Sequence, residues 1–310
     1  LRAGQSGIVD LSQPPPYCGA LIQPAVLSAA APLLHPRLSP RYNQALTSFC
    51  GRVRQLVQRW GPFQQVFLLC KSPFYSKFAF GAFSDQAFLK SLELALGLDS
   101  PACLLQAACS TGIVALNWAV RELAQGGLAG KKTLLVGLET ELNPEKFVAF
   151  KKLGALSLEK DPTLCCQPFS ASRSGLVPGE VMVAMVLEAV DGVESGDLLL
   201  QPGFTNCDAS RLTDGLESGD YLWRCLQSTL PSEQLEAIDF LCPHATSTPL
   251  NDSLEGKVLS RYFADCPNPP RVVPLKQYLG HTLNSSGLWE TVVAAELVRH
   301  NFLPALLHAP

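Results

Sequence analysis

Amphipathic segments alternate with short apolar runs along most of the chain. Apolar residues recur at helical spacing in six segments, which are predicted to be helices: 43–59, 85–96, 110–125, 221–230, 251–263 and 286–300. Short, nearly continuous apolar runs predict buried strands at 66–70, 103–108, 132–138, 181–188, 197–204 and 238–242. Strands that alternate with helices in this way are typical of an α/β architecture.

One cysteine lies where a predicted strand meets a predicted helix. The apolar run that ends at Ala108 is followed by Cys109, and the helical pattern begins directly afterwards. Unpaired N–H groups and the helix dipole favour an anion at a helix N-terminus, so this position is expected to lower the pKa of a thiol. Because the thiolate is the reactive form of cysteine, Cys109 is a candidate nucleophile.

Composition narrows the classes of protein that fit this pattern. The 310 residues are enough for one large α/β unit or two fused domains. Charged residues make up only 16% of the chain, which is compatible with burial against another subunit. The net charge of −3 gives no indication of nucleic-acid binding. Because no uncharged apolar run reaches the ~18 residues of a membrane span, none is expected.

The cysteines indicate the redox environment. There are eleven, an odd number at irregular spacing, and none forms a Cys-x-x-Cys pair. This pattern disfavours a disulfide framework or a zinc site. We therefore expect most of them to be small buried thiols in a reducing compartment, and the protein to be cytoplasmic.

Two histidines lie in segments that could complete a site around Cys109. His244 follows the predicted strand 238–242 and precedes a loop of small hydroxyl residues, and His281 lies five residues after Lys276. The carboxyl ends of strands are where α/β proteins bind ligands. Either histidine alone would more often be a satisfied loop or core residue. Together with Cys109, they favour a catalytic site.

With these segments the chain resembles the β-ketoacyl-acyl carrier protein synthases, the ketosynthases of the thiolase-like superfamily. Residues 108–112 are similar to the family pattern Ala-Cys-x-x-Gly, and residues 244–252 to His-Gly-Thr-x-Thr-x-x-x-Asp. Residues 276–281 match Lys-x-x-x-Gly-His, and residues 168–180 resemble Pro-Phe-Asp-x-x-Arg-Asp-Gly-Phe-Val-x-Gly-Glu. Four motifs in the family's order are far more specific than any one of them.

The resemblance implies an α/β, thiolase-like fold in which two duplicated halves form α-β-α-β-α layers. Residues 1–190 would be the N-terminal half, which carries the nucleophilic cysteine, and residues 191–310 the C-terminal half, which carries both histidines. The family's first strand, and its closing Gly-Phe-Gly-Gly turn with two core strands, have no counterpart in this sequence. We therefore expect a fold that lacks those terminal strands.

The resemblance also implies a decarboxylative Claisen condensation in fatty-acid or polyketide-type biosynthesis. Cys109 would attack an acyl thioester and hold the acyl group, and its own backbone N–H would help to bind the oxyanion. After malonyl-acyl carrier protein loses CO₂, His244 and His281 would stabilise the enolate through Nε2–H groups. The enolate carbon would then attack the acyl group on Cys109.

The same family assigns supporting roles around these three residues. Lys276 would be a fixed charge that pairs with Glu255, and Thr246 and Thr248 would hydrogen-bond the pantetheine or the malonyl group. The partner would be acyl carrier protein, which brings its own phosphopantetheine, so no further cofactor and no metal are expected. A homodimer, or a heterodimer with a second ketosynthase-like subunit, is also implied.

The sequence departs from the family pattern close to the expected site. Ala245 stands where the family has glycine, and residues 284–286, Asn-Ser-Ser, replace Gly-Ala-Ala. These changes keep open a second interpretation, a non-condensing partner subunit like a chain-length factor, although such subunits usually lack the nucleophile. A thiolase would need a second cysteine in a Cys-x-Gly turn, which Cys266 does not provide. A papain-like hydrolase does not fit the order of cysteine and histidines.

Overall fold

The computed structural model describes residues 8–11, 17–20, 39–70, 85–125, 130–140, 142, 144–208 and 218–307. The strands are β1 (Ile8–Leu11), β2 (Tyr17–Ala20), β3 (Gln65–Cys70), β4 (Cys103–Leu104), β5 (Lys132–Glu139), β6 (Val181–Glu188), β7 (Phe240–Leu241) and β8 (Arg271–Val272). The α-helices are α1 (Pro40–Trp60), α2 (Asp85–Leu96), α3 (Thr111–Ala124), α4 (Pro144–Lys152), α5 (Asp220–Thr229), α6 (Pro249–Tyr262), α7 (Lys276–Leu279) and α8 (Ser286–Arg299).

The main sheet has the order β4-β3-β5-β6. Strand β3 runs parallel to β4 and β5, whereas β6 pairs with β5 in the antiparallel direction over eight residues. Successive side chains of a strand point to opposite faces. Leu68 therefore packs with α1 and α2 on one face, while Phe67 and Leu69 pack with α3 and α8 on the other. Burial on both faces explains the continuous apolar runs.

Helices α3 and α8 make a close contact at their first turns. A Cβ added to Gly112 of α3 would lie 2.5 Å from the backbone nitrogen of Leu288 in α8. A Cβ added to Gly287 would in turn lie 2.5 Å from the side chain of Ile113. Only the absence of side chains at these two glycines lets the helix backbones approach this closely.

The second half of the chain contributes a small sheet beside the main one. Strands β7 and β8 are parallel, and α6 is the crossover helix between them. Val273 and Leu275, directly after β8, pack into the same core as Phe67 and Leu288. This shared core places the carboxyl end of β7 next to the start of α3.

The sequence-based prediction of α/β layering is confirmed, and the predicted helices form within a few residues of their expected bounds. The strand predicted at 197–204 is absent. That segment has no regular structure, and Leu199 and Phe204 are exposed, because no described strand lies beside it to supply hydrogen bonds. The strand predicted at 103–108 is reduced to Cys103–Leu104.

Nine of the cysteines in the described part of the chain are not disulfide-bonded, but only Cys50, Cys70 and Cys166 of these are buried, so the expectation that most are buried is wrong. Cys165 is disulfide-bonded, so the prediction that disfavoured disulfides is wrong at that residue. Within the described ranges, every helix is too short or too polar to cross a membrane.

Candidate active site

Cys109 lies in a tight turn between β4 and α3. Ala108 has a φ of +50°, which is uncommon for a residue with a side chain. The Thr111 hydroxyl holds the turn, because it accepts a hydrogen bond from Ala107 N–H at 2.7 Å and donates to the Ala108 carbonyl at 2.6 Å. Cys109 is half-buried and precedes the first residue of α3 by two positions. The structure therefore confirms that Cys109 lies at a helix N-terminus, as the sequence predicts.

His244 lies in the loop that joins β7 to α6, and Glu255 of α6 fixes that loop. The Glu255 carboxylate accepts hydrogen bonds from the backbone N–H groups of His244, at 2.6 Å, and Ala245, at 2.7 Å. Ala245 and Ser247 have φ values of +42° and +67°. The alanine that replaces the family's glycine therefore lies in the left-handed region, where a Cβ is disfavoured.

Asp252 fixes the same loop from the first turn of α6. Its carboxylate accepts hydrogen bonds from Ser247 N–H at 3.2 Å and from Phe169 N–H at 2.9 Å. These contacts tie the segment 168–180, the fourth sequence motif, to the histidine loop. Burial raises the pKa of Asp252, and the hydrogen bonds to its charged form oppose that change.

His281 is anchored by its backbone and its ring. Its N–H donates to the Val177 carbonyl at 2.6 Å, and its carbonyl accepts from Gly179 N–H at 3.0 Å. The ring atom Nδ1 accepts a hydrogen bond from Leu283 N–H at 3.2 Å, and the Ser286 hydroxyl lies 3.0 Å from the same atom. Because Nδ1 is an acceptor, the proton of the neutral imidazole is on Nε2.

Cys109, His244 and His281 come together as the sequence predicts. Ligand-forming atoms of the three side chains, the Cys109 sulfur and one ring nitrogen of each histidine, all lie within 4.8 Å of one another. The two imidazole rings meet edge to face, with centroids 5.3 Å apart and planes at 88°. Each of the three residues follows the end of a different element of the chain, so only the folded structure brings them together.

Both histidines are neutral near pH 7. Burial lowers the pKa of His244 to about 3, and the positive charge of Lys276 acts in the same direction. Burial, Lys276 and then His244 lower the pKa of His281 well below its usual value. A neutral imidazole with its proton on Nε2 donates a hydrogen bond and carries no net charge, which suits it to a substrate oxygen.

Lys276 is buried, with 1% of its surface exposed, and its partner is not the one expected from the sequence. Its Nζ donates to Glu290 Oε1 at 2.6 Å. The predicted pairing with Glu255 is wrong, and the carboxylate of Glu255 instead accepts the backbone N–H groups of His244 and Ala245. Burial raises the pKa of Glu290, and the Lys276 charge opposes this.

Glu290 is the site residue that sequence reasoning missed. It interrupts the apolar start of α8, the run 287–295, and its side chain is 14% exposed beside a lysine that precedes it by fourteen residues. An acid within the apolar run 287–295 was the signal that could have found it, because an acid is rarely buried unless it is paired.

Thr246 and Thr248 lie directly after His244. Their hydroxyl oxygens are 2.9 Å apart, with Thr246 buried and Thr248 half-buried as the N-cap residue of α6. Their position next to His244 agrees with the sequence-based prediction, although their predicted ligand contacts stay a prediction.

A thiol and two imidazoles are also the side chains that bind zinc. Two features of this cluster oppose a cation. The Nε2 atom of His281 carries a proton while Leu283 donates to Nδ1, and the buried Lys276 charge is close enough to lower the pKa of both rings. The cluster is therefore better suited to bind an anionic oxygen than a metal ion.

A half-buried thiol close to two neutral imidazoles, on an α/β fold, is typical of the class of thiolase-like acyl-transfer enzymes. Within that class, the family model described as "Beta-ketoacyl synthase, N-terminal domain" matches residues 91–191. The model described as "Beta-ketoacyl synthase, C-terminal domain" matches residues 202–310. Together the two matches cover about two thirds of the chain, and the chain belongs to the β-ketoacyl synthase family.

Individual relatives agree with this family. Polyketide synthase GfsB of Streptomyces halstedii is 30% identical over 230 residues, which are 70% of this chain and 4% of that protein. The 3-oxoacyl-[acyl-carrier-protein] synthase 2 of Coxiella burnetii is 26% identical over 218 residues, 68% of this chain and 52% of that protein. The chain thus spans about half the length of the second relative and a small part of the first.

Solved structures show the same fold. The ishigamide ketosynthase/chain length factor superposes with a TM-score of 0.71 at 19% identity, over 98% of this chain and 82% of that one. The predicted thiolase-like fold is confirmed. The division of the chain into halves at residue 190 stays a prediction.

Proposed function

We propose that this chain is a condensing ketosynthase, which joins an acyl group held on Cys109 to a malonyl-derived unit carried by acyl carrier protein. The observation that carries the proposal is the cluster itself. A half-buried thiol at a helix start lies beside two neutral imidazoles, with the sulfur and one ring nitrogen of each histidine all within 4.8 Å of one another. Condensation requires both an acyl acceptor and donors for an enolate oxygen, and the cluster supplies both.

The first half-reaction loads the nucleophile. The Cys109 sulfur attacks the carbonyl of an acyl thioester, and the tetrahedral intermediate collapses as the carrier thiol leaves with the proton that Cys109 gives up. A new thioester to Cys109 replaces the old one, so this step needs no oxidant or metal. The start of α3 supplies backbone N–H groups and a dipole that favour the oxyanion of the intermediate.

The second half-reaction forms the carbon–carbon bond. Malonyl-carrier protein loses CO₂, and the electrons of the broken bond form an enolate on the remaining thioester. Nε2–H of His281, together with His244, donates to the enolate oxygen as negative charge develops there. The enolate carbon attacks the acyl carbonyl on Cys109, the Cys109 thiolate leaves and regains a proton, and the product is longer by two carbons.

Lys276 and Glu290 support the two imidazoles without contacting the reacting atoms. The Lys276 charge lowers the pKa of both rings and so helps to keep them neutral. Glu290 holds Lys276 in place through the 2.6 Å ion pair. Thr246 and Thr248 offer hydroxyl groups next to His244 for the pantetheine or malonyl group.

Acyl carrier protein is the proposed partner, and its phosphopantetheine is the only cofactor we expect to take part. The relative from Coxiella burnetii is named for that carrier protein. Pairing with a second ketosynthase-like chain is proposed from the family and from the neighbour described as a ketosynthase/chain length factor.

That neighbour also supports a second candidate function, a non-condensing partner subunit. The specific observation in its favour is the left-handed alanine at 245 in the histidine loop, where the family pattern has glycine. The presence of Cys109, His244 and His281 in one cluster favours the condensing enzyme.

Intact-mass spectrometry after incubation with acyl-carrier protein tests the proposal. We expect one acyl adduct on the wild-type chain and none on Cys109→Ala. Cys207→Ser is the matched control, because Cys207 is free and exposed and would acquire an adduct only by non-specific exchange. Acylation without release of CO₂ from malonyl-carrier protein would favour the partner subunit, and absence of an adduct would refute the condensing enzyme.

A further inference from the structure

Ser286 provides a polar contact to the catalytic cluster that the family pattern does not have. It is the first residue of α8, is 1% exposed, and stands where the family pattern has alanine. Its Oγ lies 3.0 Å from Nδ1 of His281 and 3.2 Å from the hydroxyl of Thr282, which is also fully buried.

The hydrogen-bond directions around Nδ1 follow from the groups present. Leu283 N–H can only donate, so its 3.2 Å contact favours the tautomer of His281 in which Nδ1 is an unprotonated acceptor. The Ser286 hydroxyl then has only a donor role towards Nδ1. The Thr282 hydroxyl can donate to Ser286 Oγ, which completes a chain of two hydroxyls that ends at the ring and polarises it cooperatively.

We propose that Ser286 is a positioning residue that, with Thr282 behind it, holds His281 as the Nε2–H tautomer with its ring fixed towards Cys109. A second donor on Nδ1 makes the alternative tautomer less favourable, because that tautomer would place a proton against both Leu283 N–H and the Ser286 hydroxyl. Ser286 does not touch the substrate. It acts only through the imidazole.

The hydrogen bond from Ser286 to His281 is expected to affect only one of the two half-reactions. This expectation rests on the function proposed above. Loading of Cys109 does not require the Nε2–H group of His281, whereas stabilisation of the enolate does. Loss of one neutral hydrogen bond to the ring is expected to slow decarboxylation of malonyl-carrier protein by about two- to ten-fold. The rate at which Cys109 is acylated should stay unchanged.

Three variants separate the hydroxyl from the packing around it. Ser286→Ala removes the donor, and Ser286→Cys fills nearly the same volume with a weak donor. Ser285→Ala is the matched control. That neighbouring serine is equally buried, but its hydroxyl contacts the Leu69 carbonyl at 3.5 Å instead of the ring.

Long-range ¹H–¹⁵N correlation spectra of ¹⁵N-histidine-labelled protein report the tautomer of His281 directly, and a His281→Asn variant assigns its signals. We expect the Nε2–H pattern in the wild type and in Ser285→Ala. In Ser286→Ala and Ser286→Cys we expect a mixed or exchange-broadened pattern together with slower CO₂ release.

Several results would overturn the proposal. These are an Nδ1–H pattern in the wild type, an unchanged tautomer in Ser286→Ala, an equal change in Ser285→Ala, or full recovery in Ser286→Cys. If the wild-type chain neither acylates nor releases CO₂, the function proposed above fails. The tautomer comparison would still decide the role of Ser286.

Discussion

The buried ion pair between Lys276 and Glu290 gives the most quantitative prediction. Replacing Glu290 with alanine would leave a lysine that is 1% exposed without its counter-ion. Removal of one partner from a buried pair typically costs about 3–5 kcal/mol, because the remaining charge is desolvated and uncompensated. That cost is a large share of the ~5–15 kcal/mol by which a folded domain is stable.

Glu296→Ala is the matched control, because Glu296 lies on the same helix and pairs with Arg299 at 3.0 Å in an exposed position. Exposed pairs contribute about 0–1 kcal/mol. Urea denaturation should therefore separate the two variants by at least about 2 kcal/mol. Lys276→Met combined with Glu290→Leu should recover much of the loss, since both charges are then absent.

Two results would refute the reasoning. If Glu290→Ala costs no more than Glu296→Ala, Lys276 does not depend on Glu290 for its burial. If the double variant is as unstable as Glu290→Ala, the loss arises from packing in α8 and not from an unpaired charge.

Two further predictions concern protonation and packing. Because burial and Lys276 lower the pKa of His244 to about 3, decarboxylation should show no loss from His244 protonation as pH falls through 6.5. In Lys276→Met that pKa should rise, and pH–rate profiles should show the loss at higher pH; identical profiles would contradict the electrostatic role of Lys276. Gly112→Ala should lower stability by about 1–3 kcal/mol, because its Cβ would meet Leu288 at 2.5 Å. Gly256→Ala in α6, whose Cβ would meet only Phe169 at 3.7 Å, should raise the melting temperature slightly, and equal effects in both would contradict the close contact.

The cluster of Cys109, His244 and His281 could be predicted from sequence because its members lie in recognisable motifs, two of which follow apolar runs. Cys109 comes after an apolar run and before a helical pattern, and His244 follows another apolar run. The carboxyl ends of strands are where α/β proteins bind ligands, so residues that follow strands are candidates for one site, although β4 and β7 belong to different sheets. The helices were predictable for a similar reason, since their periodicity spans many residues.

Other features depend on tertiary partners that no local pattern specifies. Glu255 and Glu290 are both acids on amphipathic or apolar helices, and only the fold decides which one Lys276 reaches. The segment 197–204 is apolar enough for a strand, but an apolar run becomes a strand only when a neighbour supplies hydrogen bonds. The role of Ser286 could not be predicted from sequence, because only the fold places its hydroxyl oxygen 3.0 Å from Nδ1 of His281.

The close approach of α3 and α8 has a consequence for how the site can vary. The helix that begins just after Cys109 and the helix that begins just after His281 are in contact at Gly112 and Gly287, backbone against backbone. The distance between the backbones that carry Cys109 and His281 is thus limited by contact between main-chain atoms, and side-chain substitutions elsewhere are expected to change it little. Differences in substrate between relatives are then expected to arise from surfaces outside this contact.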